Sequence, residues 1–280
     1  MTTLIRSFGR FQRGGWNARI GLILGLLFGG LAIIAAFGTP SNPVAVNIMV
    51  RLRPPGPEHW LGTDQFGRDV LSRMMIGARV SLMTGLLATF GALAIGTTLG
   101  AATAFIGGWA DRITSALTDT LMAFPGLLLA LALISILGAG QSGVVLALAL
   151  AYTPVVVRVV RSSVLSIREK DYVEASRALG NGALVTLFRH VLPNCIGPLT
   201  VIGSSLFASA LLSESALSFL GLGVPPPNPT WGGMLADSRQ FAASAIWLVL
   251  VPGGAISLTL LAVNLLGDAL RDHFDPRMNA

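Results

Sequence analysis

Six stretches of 18 to 28 residues in this chain are predominantly apolar: 20–37, 80–105, 113–137, 143–160, 195–222 and 242–266. As helices rising 1.5 Å per residue they reach about 27 to 42 Å. The hydrocarbon core of a bilayer is about 30 Å thick, so each can span it, the longer ones tilted or overhanging. In lipid the backbone must satisfy its own hydrogen bonds, which makes these stretches helices. The expected fold class is an all-α membrane protein with six transmembrane helices. Composition agrees. Only 11% of the residues are charged, against about 25% in a soluble domain. The expected organisation is an inner segment 1–19, a first span 20–37, an external loop 38–79, a spanning core 80–268 with an inner loop at 166–193, and a tail 269–280.

The formal net charge is +6. A nucleic-acid partner would call for clustered Lys and Arg interleaved with aromatics. Here Lys170 is the one lysine and the arginines sit between apolar runs, so no nucleic acid is expected. The charge instead orients the chain in a membrane. Six spans place both termini on one side. With that side inside, thirteen of the nineteen Lys and Arg fall on inner segments and six on outer ones. Arg6, Arg10, Arg13 and Arg19 precede the first span. That run of 18 residues exceeds the usual 7–15 of a signal peptide's apolar region and reads as a retained helix. The external loop is a counter-signal, holding Arg51, Arg53, Arg68, Arg73 and Arg79. Glu58, Asp64 and Asp69 are available there to pair with some of them. The single cysteine, Cys195, excludes an intrachain disulfide and a multi-cysteine metal site, and no metal is expected.

Gly85, Gly91, Gly96 and Gly100 recur at roughly helical spacing and mark a face for close helix packing. Pro125, Pro154 and Pro252 interrupt apolar segments, either as hinges or as static kinks. Asp119 and Glu214 fall inside spans, where a carboxylate is costly and should face protein or a wet cavity. Each is a candidate pathway or gate residue, or else a hydrogen-bonded packing residue.

Residues 168–193 are polar enough to lie outside lipid, on the inner side. Asp171 can cap a short helix, with Glu174 three residues on to complete a capping box. Tyr172, Ala175 and Leu179 form one apolar stripe, and Gly180 supplies a left-handed stop. A second helix would carry Leu184, Leu187, Phe188 and Val191 on one face and end before Pro193. Two such helices can lie on the membrane surface. Alternatively the first docks into a groove on a soluble partner. The small side chains of Ala175, Ser176 and Ala178 favour docking.

These residues carry a resemblance. Glu174-Ala175-Ser176, three residues, Gly180, nine residues and His190-Val191-Leu192-Pro193 resemble the E-A-A-x3-G-x9-I-x-L-P loop of ABC importer permeases. Ser176 and His190 depart from that pattern. The likeness extends to Gly62-Thr63-Asp64-Gln65-Phe66-Gly67-Arg68-Asp69 in the external loop, and to Trp231-Gly232 with the preceding proline run. It extends also to the segment from Asn264 onward. In these motifs the chain is similar to the second, C-type permease of the dipeptide/oligopeptide/nickel branch, over nearly everything beyond about residue 58.

The resemblance implies a type I importer permease fold with both termini cytoplasmic. It implies a second permease subunit, two ATP-binding subunits and a periplasmic solute-binding protein as partners, in the lipid bilayer of the inner membrane. The solute would be a peptide, with nickel or glutathione as alternatives. Asp171, Tyr172, Glu174, Ala175, Ser176, Ala178, Leu179, Gly180, Leu192 and Pro193 would couple to the ATPases. The residues agree at one point. No G-x-x-x-x-G-K-[ST] loop is present. ATP and Mg would therefore sit on partner subunits, and this chain needs no cofactor of its own. An enzyme is disfavoured, with no catalytic residues expected. Ser204 and Ser205 would need a histidine in a neighbouring span. His59, His190 and His273 all fall outside the apolar cores, and no H-E-x-x-H occurs. An ion-coupled secondary transporter would usually show more spans and an internal repeat.

Overall fold

The computed structural model describes residues 16–274. Arg6, Arg10, Arg13, Arg277 and the remainder of segments 1–15 and 275–280 lie outside the described residues. Ten α-helices carry the fold among them: α1 (Trp16–Phe37), α2 (Val70–Ile106), α3 (Gly108–Met122), α4 (Gly126–Leu137), α5 (Gln141–Arg168), α6 (Asp171–Ala178), α7 (Ala183–Thr186), α8 (Ile196–Phe219), α9 (Trp231–Ser238) and α10 (Trp247–Phe274). No strand is present among the described residues. Five helical spans are long and apolar enough to cross a membrane, and the bent pair α3–α4 makes a sixth if counted as one.

α2 is the axis of the bundle. It packs on α5, α1 and α8, while α10 closes against α1 and α8. The glycine stripe explains the closeness of α2 to α5. A Cβ on Gly96 would lie 2.5 Å from Val156 Cβ, and one on Gly100 would lie 2.8 Å from the Val157 carbonyl oxygen. Without a hydrophobic drive between helices in lipid, such approach is what holds them together. α1 leaves Ile23, Leu26, Ile33 and Ile34 exposed, as a lipid-facing helix should. Its inner face meets α10, where a Cβ on Gly21 would come within 2.9 Å of Leu265 Cβ.

Two sequence boundaries need correction, and one expected interruption takes a definite form. α2 begins at Val70, ten residues before the apolar segment at 80. Arg73 and Arg79 dilute the hydropathy of its first turns, but Arg73 is buried against Asp64, so the helix continues inward through it. The third span is broken at Pro125, where the sequence reading expects a hinge or a static kink. α3 and α4 meet at 98° across 123–125. Pro125 lacks an N–H and disfavours helix at Phe124. The amides of Ala123 and Phe124 instead close tight turns onto the carbonyls of Thr120 and Leu121. Pro154 and Pro252, by contrast, lie inside helices that run on past them. Finally, the sixth segment starts as helix only at Trp247, after turns through 239–246.

Candidate functional site

At the α2 C-terminal end, α6 and α7 form a knuckle between α5 and α8. Lys170, not Asp171, occupies the cap position. Its carbonyl accepts the amides of Val173 and Glu174, which puts Asp171 at the first helical position. The helix stops as the sequence predicts. Gly180 adopts φ +83°, and the Asn181 amide reaches back to the Ser176 carbonyl at 3.2 Å, a six-residue closure that satisfies the last turn.

The two faces of α6 do different work. Val173 is fully buried, in one cluster with Val156, Val160 and Val164 of α5 and Ala101 and Ala104 of α2. Ser176 also points inward, which corrects its place on the docking face. Its hydroxyl lies 3.4 Å from Thr186 Oγ1 and accepts from Asn181 Nδ2 at 3.1 Å. On the other side Tyr172, Ala175, Ala178 and Leu179 are exposed, Leu179 by 83%. Asp171 and Glu174 flank them, also exposed.

The second expected face splits. Leu187 and Val191 are buried in the same cluster as Val173, while Leu184 and Phe188 are exposed. The cause is a change of pitch. Pro193 cannot donate to the backbone four residues earlier. Residues Leu187–Val191 widen into a π-turn, with the Leu192 amide bonded to the Leu187 carbonyl, and Leu192–Cys195 then tighten into a 3₁₀ turn. Asn194 Nδ2 takes the His190 carbonyl at 2.7 Å. The chain therefore runs through Pro193 into α8 instead of ending before it. Leu192 is half-buried and Pro193 is exposed.

The two membrane carboxylates are separated in role. Asp119 of α3 is exposed and ion-paired with Arg158 of α5. Eight residues earlier, Asp111 is gripped bidentately by Arg161, Nε to Oδ1 at 2.6 Å and Nη2 to Oδ2 at 2.8 Å. These pairs strap the bent helix to α5. The sequence reading missed them. The signal was two aspartates about two turns apart facing two arginines one turn apart. Glu214 is fully buried. Its Oε1 accepts from Ser218 at 2.8 Å, and its Oε2 accepts from Ser215 at 3.4 Å. That is the geometry of a hydrogen-bonded packing residue.

At the opposite end, the external-loop motif folds into a cap over the start of α2. Gly62 and Gly67 take φ +76° and +71°. A Cβ on Gly67 would fall 1.8 Å from the Asn47 carbonyl oxygen, so no larger residue fits. Thr63 pairs with Asp69 across a short bridge, its hydroxyl donates to Val50, and its carbonyl accepts from Trp247 Nε1 at 3.3 Å. Asp64 accepts the amides of Phe66 and Arg68, both at 2.9 Å, and Arg68 Nε at 2.6 Å. Asp69 caps α2 through the Ser72 amide at 2.8 Å and pairs with His59, not with an arginine. Trp231 is completely buried. It donates from Nε1 to the Met74 carbonyl at 3.2 Å and meets the Phe28 ring edge-on at 5.6 Å. Gly232 lies so near α8 that a Cβ would sit 2.2 Å from the Ser215 carbonyl oxygen.

Residues 72–280 match the family described as "Binding-protein-dependent transport system inner membrane component". The chain is 44% identical over 265 residues to the dipeptide transport system permease protein DppC of Alkalihalophilus pseudofirmus, covering 94% of this chain and 86% of that one. It is 42% identical to the di/tripeptide transport system permease protein DppC of Pseudomonas aeruginosa, covering 92% and 87%. To the glutathione transport system permease protein GsiD of Pectobacterium atrosepticum it is 42% identical, covering 81% and 75%. Among solved structures, a chain of the MetNI methionine ABC transporter, in inward-facing conformations, superposes with TM-score 0.61 at 16% identity, over 72% of this chain and 96% of that one. The fold is therefore that of a type I ABC importer permease. This chain belongs to the family of inner-membrane components of binding-protein-dependent transport systems.

Proposed function

We propose that this chain is one of two permease subunits of an ABC importer that carries di- or oligopeptides across the inner membrane. A second permease completes the pathway, a periplasmic protein delivers the solute, and two ATP-binding subunits hold ATP and Mg. α6 is the element that couples to them. The observation that carries this reading is the split of α6. Val173 ties it to α5 and α2, while Tyr172, Ala175 and Leu179 stay uncovered. A helix bound rigidly on one side and apolar on the other transmits a push when a partner groove closes on it. The peptide-system and glutathione-system relatives support a peptide or a peptide-like tripeptide as solute.

The test is reconstitution with the partner subunits in liposomes. Import of a labelled peptide should require ATP hydrolysis together with the binding protein. Import driven by a proton or sodium gradient without ATP would contradict the proposal, as would ATP-driven import of a non-peptide solute alone.

A further inference from the structure

The outer cap borders an open cleft of about 580 Å³, walled by Phe66, the proline run 225–229 and Ser218, with Arg68, Arg73 and Asp237 on its polar side. Its size falls in the range of small-ligand sites, not of flat protein contacts. The charges in it are incompletely matched. Asp64 is fully engaged, with two amides and both arginine Nε groups on its oxygens. Asp237 is the other carboxylate, and it is held loosely. Arg73 Nη2 lies 3.6 Å from its Oδ2 and Arg68 Nη2 lies 3.9 Å away, both beyond hydrogen-bond length, with Asp237 48% exposed. Arg73 is 5% exposed as a side chain. Its Nη1 and Arg68 Nη2 are buried without a hydrogen-bond partner. Buried cationic donors left unpaired are costly, and a ligand that completes them is strongly favoured. A planar guanidinium fork matches a carboxylate in particular.

We propose that this pocket takes the terminal carboxylate of an incoming peptide, bound by Arg68 and Arg73 as Asp237 turns outward. The apolar walls receive the last side chain. This rests on the peptide-import reading and adds a recognition site at the external mouth. Asp237 acts as a resident counter-ion that the ligand displaces, so removing its charge should tighten capture.

The experiment uses the assembled membrane complex in nanodiscs without the binding protein. A tripeptide labelled at its amino end is titrated as the free acid and as the C-terminal amide. The wild type should bind the acid about tenfold more tightly than the amide. Asp237→Asn should widen that ratio about threefold. Arg73→Gln should bring it close to one. Because Arg73 also helps fold the cap, Asp237→Asn is the decisive variant, its carboxylate being held only by the two long ion pairs. Equal binding of acid and amide, or an Asp237→Asn complex with an unchanged ratio, overturns the site. Suppose instead that Asp237→Asn alters only the binding-protein concentration that half-saturates ATP hydrolysis, alike for both peptides. The carboxylate then belongs to that protein's surface, and the proposal also fails. Wild-type import, measured with the same complex in liposomes and with the binding protein added, separates the two readings: import without acid preference in the nanodisc titration sinks the pocket alone, and no peptide import sinks the function.

Discussion

The two ends of this bundle solve opposite problems. The outer cap, 47–69 with α9, covers itself, although Arg68 Nη2 stays buried without a hydrogen-bond partner. Gly62, Gly67, Asp64, Asp69 and Trp231 are buried, and Trp247 reaches across to lock Thr63. The inner knuckle, α6 with α7 and the π-turn, does so on one face only. Val173, Leu187 and Val191 are buried, while Tyr172, Leu179, Leu184 and Phe188 are bare. Under the proposed function these bare side chains are the ones that meet the ATP-binding subunits. The contrast then separates residues that hold the fold from residues proposed to transmit work.

Substitutions can break that contrast, and the largest effect belongs to the cap. Gly67→Ala places a methyl group in the Asn47 carbonyl, so the cap cannot close. The yield of monodisperse assembled complex should collapse. A well-assembled Gly67→Ala complex would show that the cap is less tightly built than its geometry implies.

Next comes the knuckle. Leu179→Asp charges a position that is 83% exposed. It should leave thermal unfolding of the complex unchanged while ATP-driven import falls at least about tenfold, the loss expected when a central apolar anchor of an interface is spoiled. Equal loss of stability would move Leu179 into the fold-holding class.

Ser176→Ala sharpens the line within α6 itself. It removes the hydroxyl that accepts from Asn181 Nδ2 and restores the residue of the family pattern. Unfolding should shift by about 0.5–1.5 kcal/mol, the worth of one ordinary hydrogen bond, with import retained. The smallest effect is expected at Glu58→Gln. Its pair with Arg53 is exposed on both sides, 54% and 77%, and such pairs contribute about 0–1 kcal/mol. Denaturation with and without added salt measures it.

Much of this was legible in the sequence. Apolar length located the spans, Gly180 located the stop of α6, and the motif residues located both ends. What was not legible has physical causes. Pro125 was legible as an interruption of 113–137, but averaging hydropathy over a span is blind to direction, so the 98° angle was not. Arginines lower hydropathy whether or not they are paired. The start of α2 was therefore placed after Arg73, which Asp64 in fact neutralises from a loop. The inward turn of Val173 and Ser176 escaped because a helix of eight residues is too short for its period to name a buried face. The split of Leu184 and Phe188 from Leu187 and Val191 follows from a π-turn, whose pitch no 3.6-residue template anticipates.

The most direct test uses Leu179→Cys in the assembled importer. In this chain Cys195 is the only native cysteine and is buried, so a reagent with one thiol-reactive and one photoreactive end attaches, within this chain, at position 179. The account predicts a crosslink from Cys at 179 to the nucleotide-hydrolysing subunit, with a yield that changes between ATP-bound and nucleotide-free states. Labelling of that cysteine by a membrane-impermeant reagent from the periplasmic side, or no crosslink to that subunit in any state, would contradict it.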